Sequence, residues 1–114
     1  MAATKENALS SFYHAIISDP RIGSTHICLY VALFQMWQWS GFQQPLFIRR
    51  SEVMIHAKIS SSATYHKGLR QLVEYGYLNY FPTSDPAKKS ELYFIIRDQP
   101  ELDAGSAGAQ PAKR

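Results

Sequence analysis

The stretch SSATYHKGLRQLVEYGYLNYF, residues 61–81, joins a helical pattern to an aromatic, strand-like end. Ser61 or Ser62 is a suitable N-cap for a helix. Gly76 is suited to the left-handed turn that closes one. Between these ends, five residues recur at the spacing of one inward stripe, namely Ala63, Tyr65, Leu69, Leu72 and Val73. The stretch therefore predicts an amphipathic helix that is followed by a strand.

The opposite face of this helix is polar. With the stripe turned inward, the residues left outside are Ser61, Ser62, Thr64, His66, Lys67, Arg70 and Gln71. Hydroxyls and backbone N–H groups at a helix start bind phosphate, and lysine, arginine and glutamine can contact base edges. Gly68 lies mid-helix, where it costs about 1 kcal/mol relative to alanine. It indicates either a close approach of another element or an error in the helix assignment.

Two helices are predicted before this stretch. The first has one apolar stripe, formed by Leu9, Phe12, Tyr13, Ile16 and Ile17, and Asp19-Pro20 stops it. The second runs from about residue 26 to 39 behind Ser24 or Thr25 as cap, and its nearly continuous apolar sequence predicts burial on most sides. Cys28, the single cysteine, is expected to be a small buried residue, and it excludes an intramolecular disulfide.

The remaining elements are short. Residues 46–48 have a β-type sequence, and Ser51 is a plausible cap for a helix over residues 52–58. Residues 77–81 and 92–96 read as two strands, and the turn-forming residues between them make a hairpin with Lys88 and Lys89 near its tip. From about residue 98 the chain lacks periodicity and is expected to be a disordered tail.

From the second helix onward, this order resembles a winged helix-turn-helix, over about residues 24–96. The segment LRQLVEYGYL, residues 69–78, carries the resemblance most specifically, because in that family leucines hold the recognition helix on the core and a glycine ends it. The blocks STHICLYVALFQMWQ and ATYHKGLRQLVEYGYLNYFPT are also similar to small regulators of bacterial mobile elements. The resemblance implies a mainly α fold with a small β-hairpin, as a winged helix-turn-helix domain over residues 24–97. The patterns outside it add an extra N-terminal helix over residues 1–23 and a disordered tail over 98–114.

Positive charge is concentrated in the second half of the chain. The net charge is +3, whereas residues 46–97 alone hold eight lysines and arginines against four acidic side chains. Arg49-Arg50, Lys67 with Arg70, and Lys88-Lys89 form three basic features that a winged fold would bring to one side.

These features predict sequence-specific binding of double-stranded DNA, by a transcriptional regulator or a mobile-element accessory factor. The residues expected to contact DNA are Arg49, Arg50, Ser61, Ser62, Thr64, His66, Lys67, Arg70, Gln71, Lys88 and Lys89. A homodimer through the N-terminal helices is expected, so that two copies read two half-sites. The alternative is a winged-helix module that binds other proteins and no nucleic acid.

Other function classes find little support. The sequence has no Gly-rich phosphate loop, nucleophile elbow or carboxylate pair, so we expect no enzyme and no cofactor. His26 and Cys28, the closest metal-like pair, point apart on a helix, so no metal is expected. The longest apolar run, residues 27–34, is far shorter than the about 20 residues that span a bilayer. A cytoplasmic protein without membrane contact is the expectation.

Overall fold

The computed structural model describes residues 7–85 and 87–95, so the predicted tail over 98–114 lies outside the described residues. Residues 20–95 form one compact unit, and α1 belongs to another. The elements in chain order are α1 (Ala8–Ile16), α2 (Ser24–Trp39), β1 (Leu46–Ile48), α3 (Arg50–Ala57), α4 (Ser62–Glu74), β2 (Leu78–Phe81) and β3 (Ser90–Phe94). All the residues predicted to contact DNA lie within the unit of residues 20–95.

Two helix starts differ from the prediction. The N-cap of α2 is Gly23 rather than Ser24 or Thr25, because the Nδ1 atom of His26 accepts a hydrogen bond from the Gly23 N–H at 2.9 Å. This side chain satisfies one of the unpaired N–H groups at the helix start. Arg49 is the N-cap of α3, so Ser51 lies inside the helix and the prediction that it is the cap was wrong.

The predicted cap and end of α4 are confirmed. The Oγ atom of Ser61 accepts a hydrogen bond from the Thr64 N–H at 3.2 Å. Gly76 adopts a φ of 87°, the left-handed conformation that a glycine takes most readily. On the inward stripe, Ala63 is exposed instead of buried, since it lies in the first turn, ahead of the part of α4 that packs on the core.

α2 is the central helix of the core and contacts both α3 and α4. Leu29, Leu33 and Trp37 are fully buried. The Trp37 ring stacks on Phe94 with centroids 4.1 Å apart, and its Nε1–H donates to the Gln43 carbonyl at 2.9 Å. Cys28 is exposed, so the prediction of a buried cysteine was wrong; it lies on the side of α2 that turns away from this core.

The sheet contains three antiparallel strands in the order β1-β3-β2. The predicted hairpin is present as β2 and β3, with β3 over residues 90–94 instead of 92–96. β1 pairs with the edge of β3 opposite to β2. Leu46 pairs with Leu92, and Leu78 with Phe94; all four are buried on the helix-facing side. The described residues thus form a small, mainly helical α+β fold that is compatible with a winged helix.

Gly68 marks the point where α4 crosses α2 closely. A Cβ atom at this position would lie 2.7 Å from Cδ1 of Leu29 and 3.3 Å from Cγ2 of Thr25. The shorter distance is well below an ordinary carbon–carbon contact of about 3.5–4.0 Å. The mid-helix glycine is therefore explained by close packing, and the helix assignment stands.

Candidate nucleic-acid interface

The outward face of α4 carries most of the predicted contact residues. Lys67 and Arg70 are exposed, and neither forms a hydrogen bond or ion pair with another described residue. Their i, i+3 spacing sets them beside each other on the helix surface. The exposed residues of this face are Ser61, Ser62, Thr64, His66, Lys67 and Arg70. α4 therefore presents a polar, positively charged surface about three turns long.

Gln71 is the exception on this face, because it is half-buried and already bonded. The Nδ1 atom of His26 accepts from the Gly23 N–H, so the neutral ring carries its proton on Nε2. That N–H donates to the Gln71 Oε1 atom at 2.8 Å. Gln71 thus links α4 to the start of α2, and its amide nitrogen remains for contact with a ligand.

A cleft of about 390 Å³ lies beside Lys67, between α4 and the start of α2. Ser24 and Thr25 line it together with Thr64 and Lys67. Ser24 and Thr25 are predicted from the sequence only as caps, and they are absent from the predicted contact residues. The signal that was available is the position of two hydroxyls in the first turn of a long helix, where N–H groups point outward.

A second cleft, of about 410 Å³, lies between the start of α3, α4 and the loop joining β2 to β3. It collects four predicted residues from these three elements, namely Arg49, Arg50, His66 and Lys88. The hydroxyls of Ser51, Thr83 and Ser90 also line it, and sequence reasoning missed all three. Only the fold reveals them, since isolated serines and threonines in turns have no distinguishing pattern.

Tyr65 lies close to this second cleft without opening into it. Its side chain is fully buried, and its hydroxyl has no hydrogen-bond partner among the described residues. Burial raises the pKa of Tyr65 far above its ordinary value of 10, the nearby Tyr80 raises it further, and Arg50 opposes the shift. Arg50 and Tyr80 both line the cleft, so a neutral phenol lies behind its charged wall.

The loop between β2 and β3 is held by its own side chains and by α3. Asp85 Oδ1 accepts from the Ala87 N–H at 2.9 Å, and Ser90 Oγ accepts from the Thr83 N–H at 3.2 Å. Lys89 Nζ lies 3.9 Å from Glu52 Oε1 on α3. Both side chains are partly exposed, so this ion pair stabilises the loop by about 1 kcal/mol at most. Lys89 is thus less available to a ligand than Lys88.

Within residues 7–85 and 87–95, no helix has both the length and the apolar character needed to cross a membrane. Set against models of known protein families, curated proteins and solved structures, the chain finds no match in any of the three.

Proposed function

We propose that this chain binds double-stranded DNA sequence-specifically, as a transcriptional regulator or a mobile-element accessory factor, with α4 in the major groove and the β2–β3 loop on the backbone. The observation that carries the proposal is that the exposed cationic face of α4 adjoins a cleft into which Arg49, Arg50, His66 and Lys88 converge.

The face of α4 suits base readout. The major groove of B-DNA, about 12 Å wide, admits a helix whose outward side chains are polar. Thr64, Lys67 and Gln71 follow one another along one line of α4, and Arg70 lies beside Lys67. Lysine and arginine pair with guanine, and the threonine methyl contacts thymine. Discrimination among sequences is therefore assigned to Lys67 and Arg70, which have no partner among the described residues.

The second cleft suits the phosphate backbone. Arg49 and Arg50 at the start of α3 and Lys88 of the loop converge there with several hydroxyls, and Asp85 is the one acidic residue among the described residues that line it. Phosphate contacts of this kind fix the protein on the duplex without reading its sequence. Arg49, Arg50 and Lys88 are therefore expected to raise the affinity for all duplexes alike, with Ser61 and Ser62 contributing phosphate contacts at the start of α4.

The decisive experiment separates these two roles. A cognate duplex is first selected from a random pool, and binding of cognate and random duplexes is followed by fluorescence anisotropy over a range of salt concentrations. The double variant Lys67→Ala/Arg70→Ala is expected to lose the preference for the cognate duplex. Lys88→Ala/Lys89→Ala is expected to weaken binding to every duplex and to reduce the slope of log K against log salt by about 1–2.

Lys58→Gln is the matched control, because Lys58 is an exposed cation that lines a different groove, between α2 and α3. It is expected to bind the cognate duplex as the parent does, apart from a small uniform loss. If Lys67→Ala/Arg70→Ala retained the parent's preference and affinity, the assignment of α4 as the recognition helix would be refuted.

A protein-interaction module remains the second candidate, and two exposed apolar side chains favour it. Trp39 is 66% exposed and Ile55 is 69% exposed, and the Trp39 ring contacts His56 with centroids 5.6 Å apart. Failure to bind any duplex at low salt would support this candidate over DNA binding.

The predicted homodimer stays a prediction. The buried side of α2 is occupied by the chain's own core, so any contribution of this helix to a dimer falls on its exposed residues. Sedimentation of the full chain, with and without the selected duplex, is the measurement that tests it.

A further inference from the structure

The outer face of the sheet carries exposed aromatic rings around a carboxylate. Phe47 on β1 is 52% exposed and Phe81 on β2 is 56% exposed. Both pair in register with Glu91 on the central strand β3. Because side chains alternate along a strand, and Leu46, Leu92 and Leu78 point into the core, these three residues point outward in one row. The row Phe47-Glu91-Phe81 is not part of the proposed DNA-binding surface.

Glu91 forms no ion pair within the described part of the chain. Its contact with Tyr93 is long, since the Tyr93 hydroxyl lies 3.5 Å from the Glu91 Oε1 atom. Tyr93 stands next to Glu91 on the same face and meets the Phe81 ring edge to face, with centroids 5.7 Å apart. The Glu91 carboxylate is thus framed by three aromatic rings, and no cation among the described residues pairs with it.

We propose that this row is a docking site for an arginine side chain of a partner protein, with Glu91 pairing to the guanidinium and the rings of Phe47 and Phe81 flanking it. Adjacent strands lie about 4.8 Å apart, so the two phenylalanines are separated by about 10 Å. A cation above Glu91 then lies about 5 Å from each, inside the range of about 6 Å for a cation–π contact.

Charge and shape select this occupant over the alternatives. Arginine offers a planar group that stacks on rings and donates two parallel hydrogen bonds to one carboxylate, whereas lysine offers a compact, strongly hydrated charge. A single-stranded nucleic acid would also stack on exposed rings. Its phosphates, however, would meet the negative charge of Glu91. Binding of arginine at this row does not depend on DNA binding by α4, so the result of its test is independent of the proposed function.

The test is an NMR titration of the isotope-labelled full chain. The probe is the peptide acetyl-Ala-Arg-Ala-amide, and the matched neutral probe carries citrulline in place of arginine. The arginine peptide is expected to shift the resonances of Phe47, Phe81 and Glu91 saturably, and the citrulline peptide is expected to leave them in place. Equal binding of the two peptides would overturn the proposal, and so would an oligothymidylate that shifts the same resonances.

Variants then assign the contacts. Glu91→Gln is expected to weaken binding of the arginine peptide about fivefold, as for an exposed ion pair. Phe81→Leu is expected to weaken it about threefold through loss of the cation–π contact. Glu74→Gln removes an exposed carboxylate at the end of α4 and is expected to change nothing. If Glu91→Gln bound the arginine peptide as tightly as the parent, Glu91 would not pair with the guanidinium and the site would be refuted.

Discussion

Substitution of Gly68 by alanine tests how closely α4 is packed on α2. Alanine favours a helix interior over glycine by about 1 kcal/mol, so propensity alone predicts stabilisation. The new Cβ atom would lie 2.7 Å from Cδ1 of Leu29, about 1 Å too close. Leu29 is fully buried, so its methyl group has no open space to move into. Overpacking of a core costs about 1–3 kcal/mol, and the expected net result is a loss of about 1 kcal/mol.

Urea unfolding of the parent and Gly68→Ala measures this loss, with Arg70 as the calibrating position. Arg70 is exposed on the same helix, so Arg70→Ala is expected to exceed Arg70→Gly in stability by about 1 kcal/mol through propensity alone. Adding Leu29→Val shortens the clashing side chain. The free energy of unfolding of the double variant should therefore exceed, by about 1 kcal/mol, the value obtained by adding the two single losses. If Gly68→Ala were instead more stable than the parent by the full difference measured at Arg70, the close approach of the two helices would be refuted.

Two further predictions concern buried polar groups. Tyr65→Phe is expected to leave stability unchanged or raise it, because the Tyr65 hydroxyl has no partner among the described residues, whereas loss of a bonded hydroxyl costs about 1 kcal/mol. Burial raises the pKa of Tyr65 in the folded state, so the unfolded state ionises first as the pH rises. The free energy of unfolding is therefore unaffected by this group below pH 10 and declines as the pH rises from 10 toward the raised value. Guanidinium unfolding on both sides of pH 10 should show a steeper decline for the parent than for Tyr65→Phe, and parallel curves would contradict the shift. Gln71→Leu is expected to destabilise by about 1–3 kcal/mol, because it leaves the Nε2–H of His26 without its acceptor, while Gln71→Glu keeps an acceptor and should lose less. Thermal unfolding of the two variants checks this, and equal losses would show that the hydrogen bond contributes little.

Local signals in the sequence predicted the parts of the fold that depend on local physics. The cap at Ser61 and the left-handed turn at Gly76 involve groups a few residues apart, and both are confirmed. The inward positions of Leu69 and Leu72 follow from helical spacing alone. The face of α4 could therefore be assigned before its surroundings were known.

Contacts between distant residues were beyond such reasoning. The link from His26 to Gln71 and the pairing of Leu46 with Leu92 join segments that carry no mark of each other. The cap of α2 was predicted incorrectly because the deciding group is an imidazole, and histidine is an unusual partner for an N-cap. The hydroxyls of the second cleft were not predicted either, because only the tertiary structure brings them beside Arg49 and Arg50.

The middle strand of the sheet is the last of the three in chain order, and this constrains when the domain can become stable during synthesis. Among the described strands β1 pairs with β3 alone, and the Trp37 ring stacks on Phe94 of the same strand. While residues 90–94 are still inside the ribosome, β1 has no strand to pair with, and the Trp37 side of α2 lacks the sheet that covers it. A ribosome-stalled chain that exposes only residues up to 85 should accordingly remain protease-sensitive, however well its helices have formed.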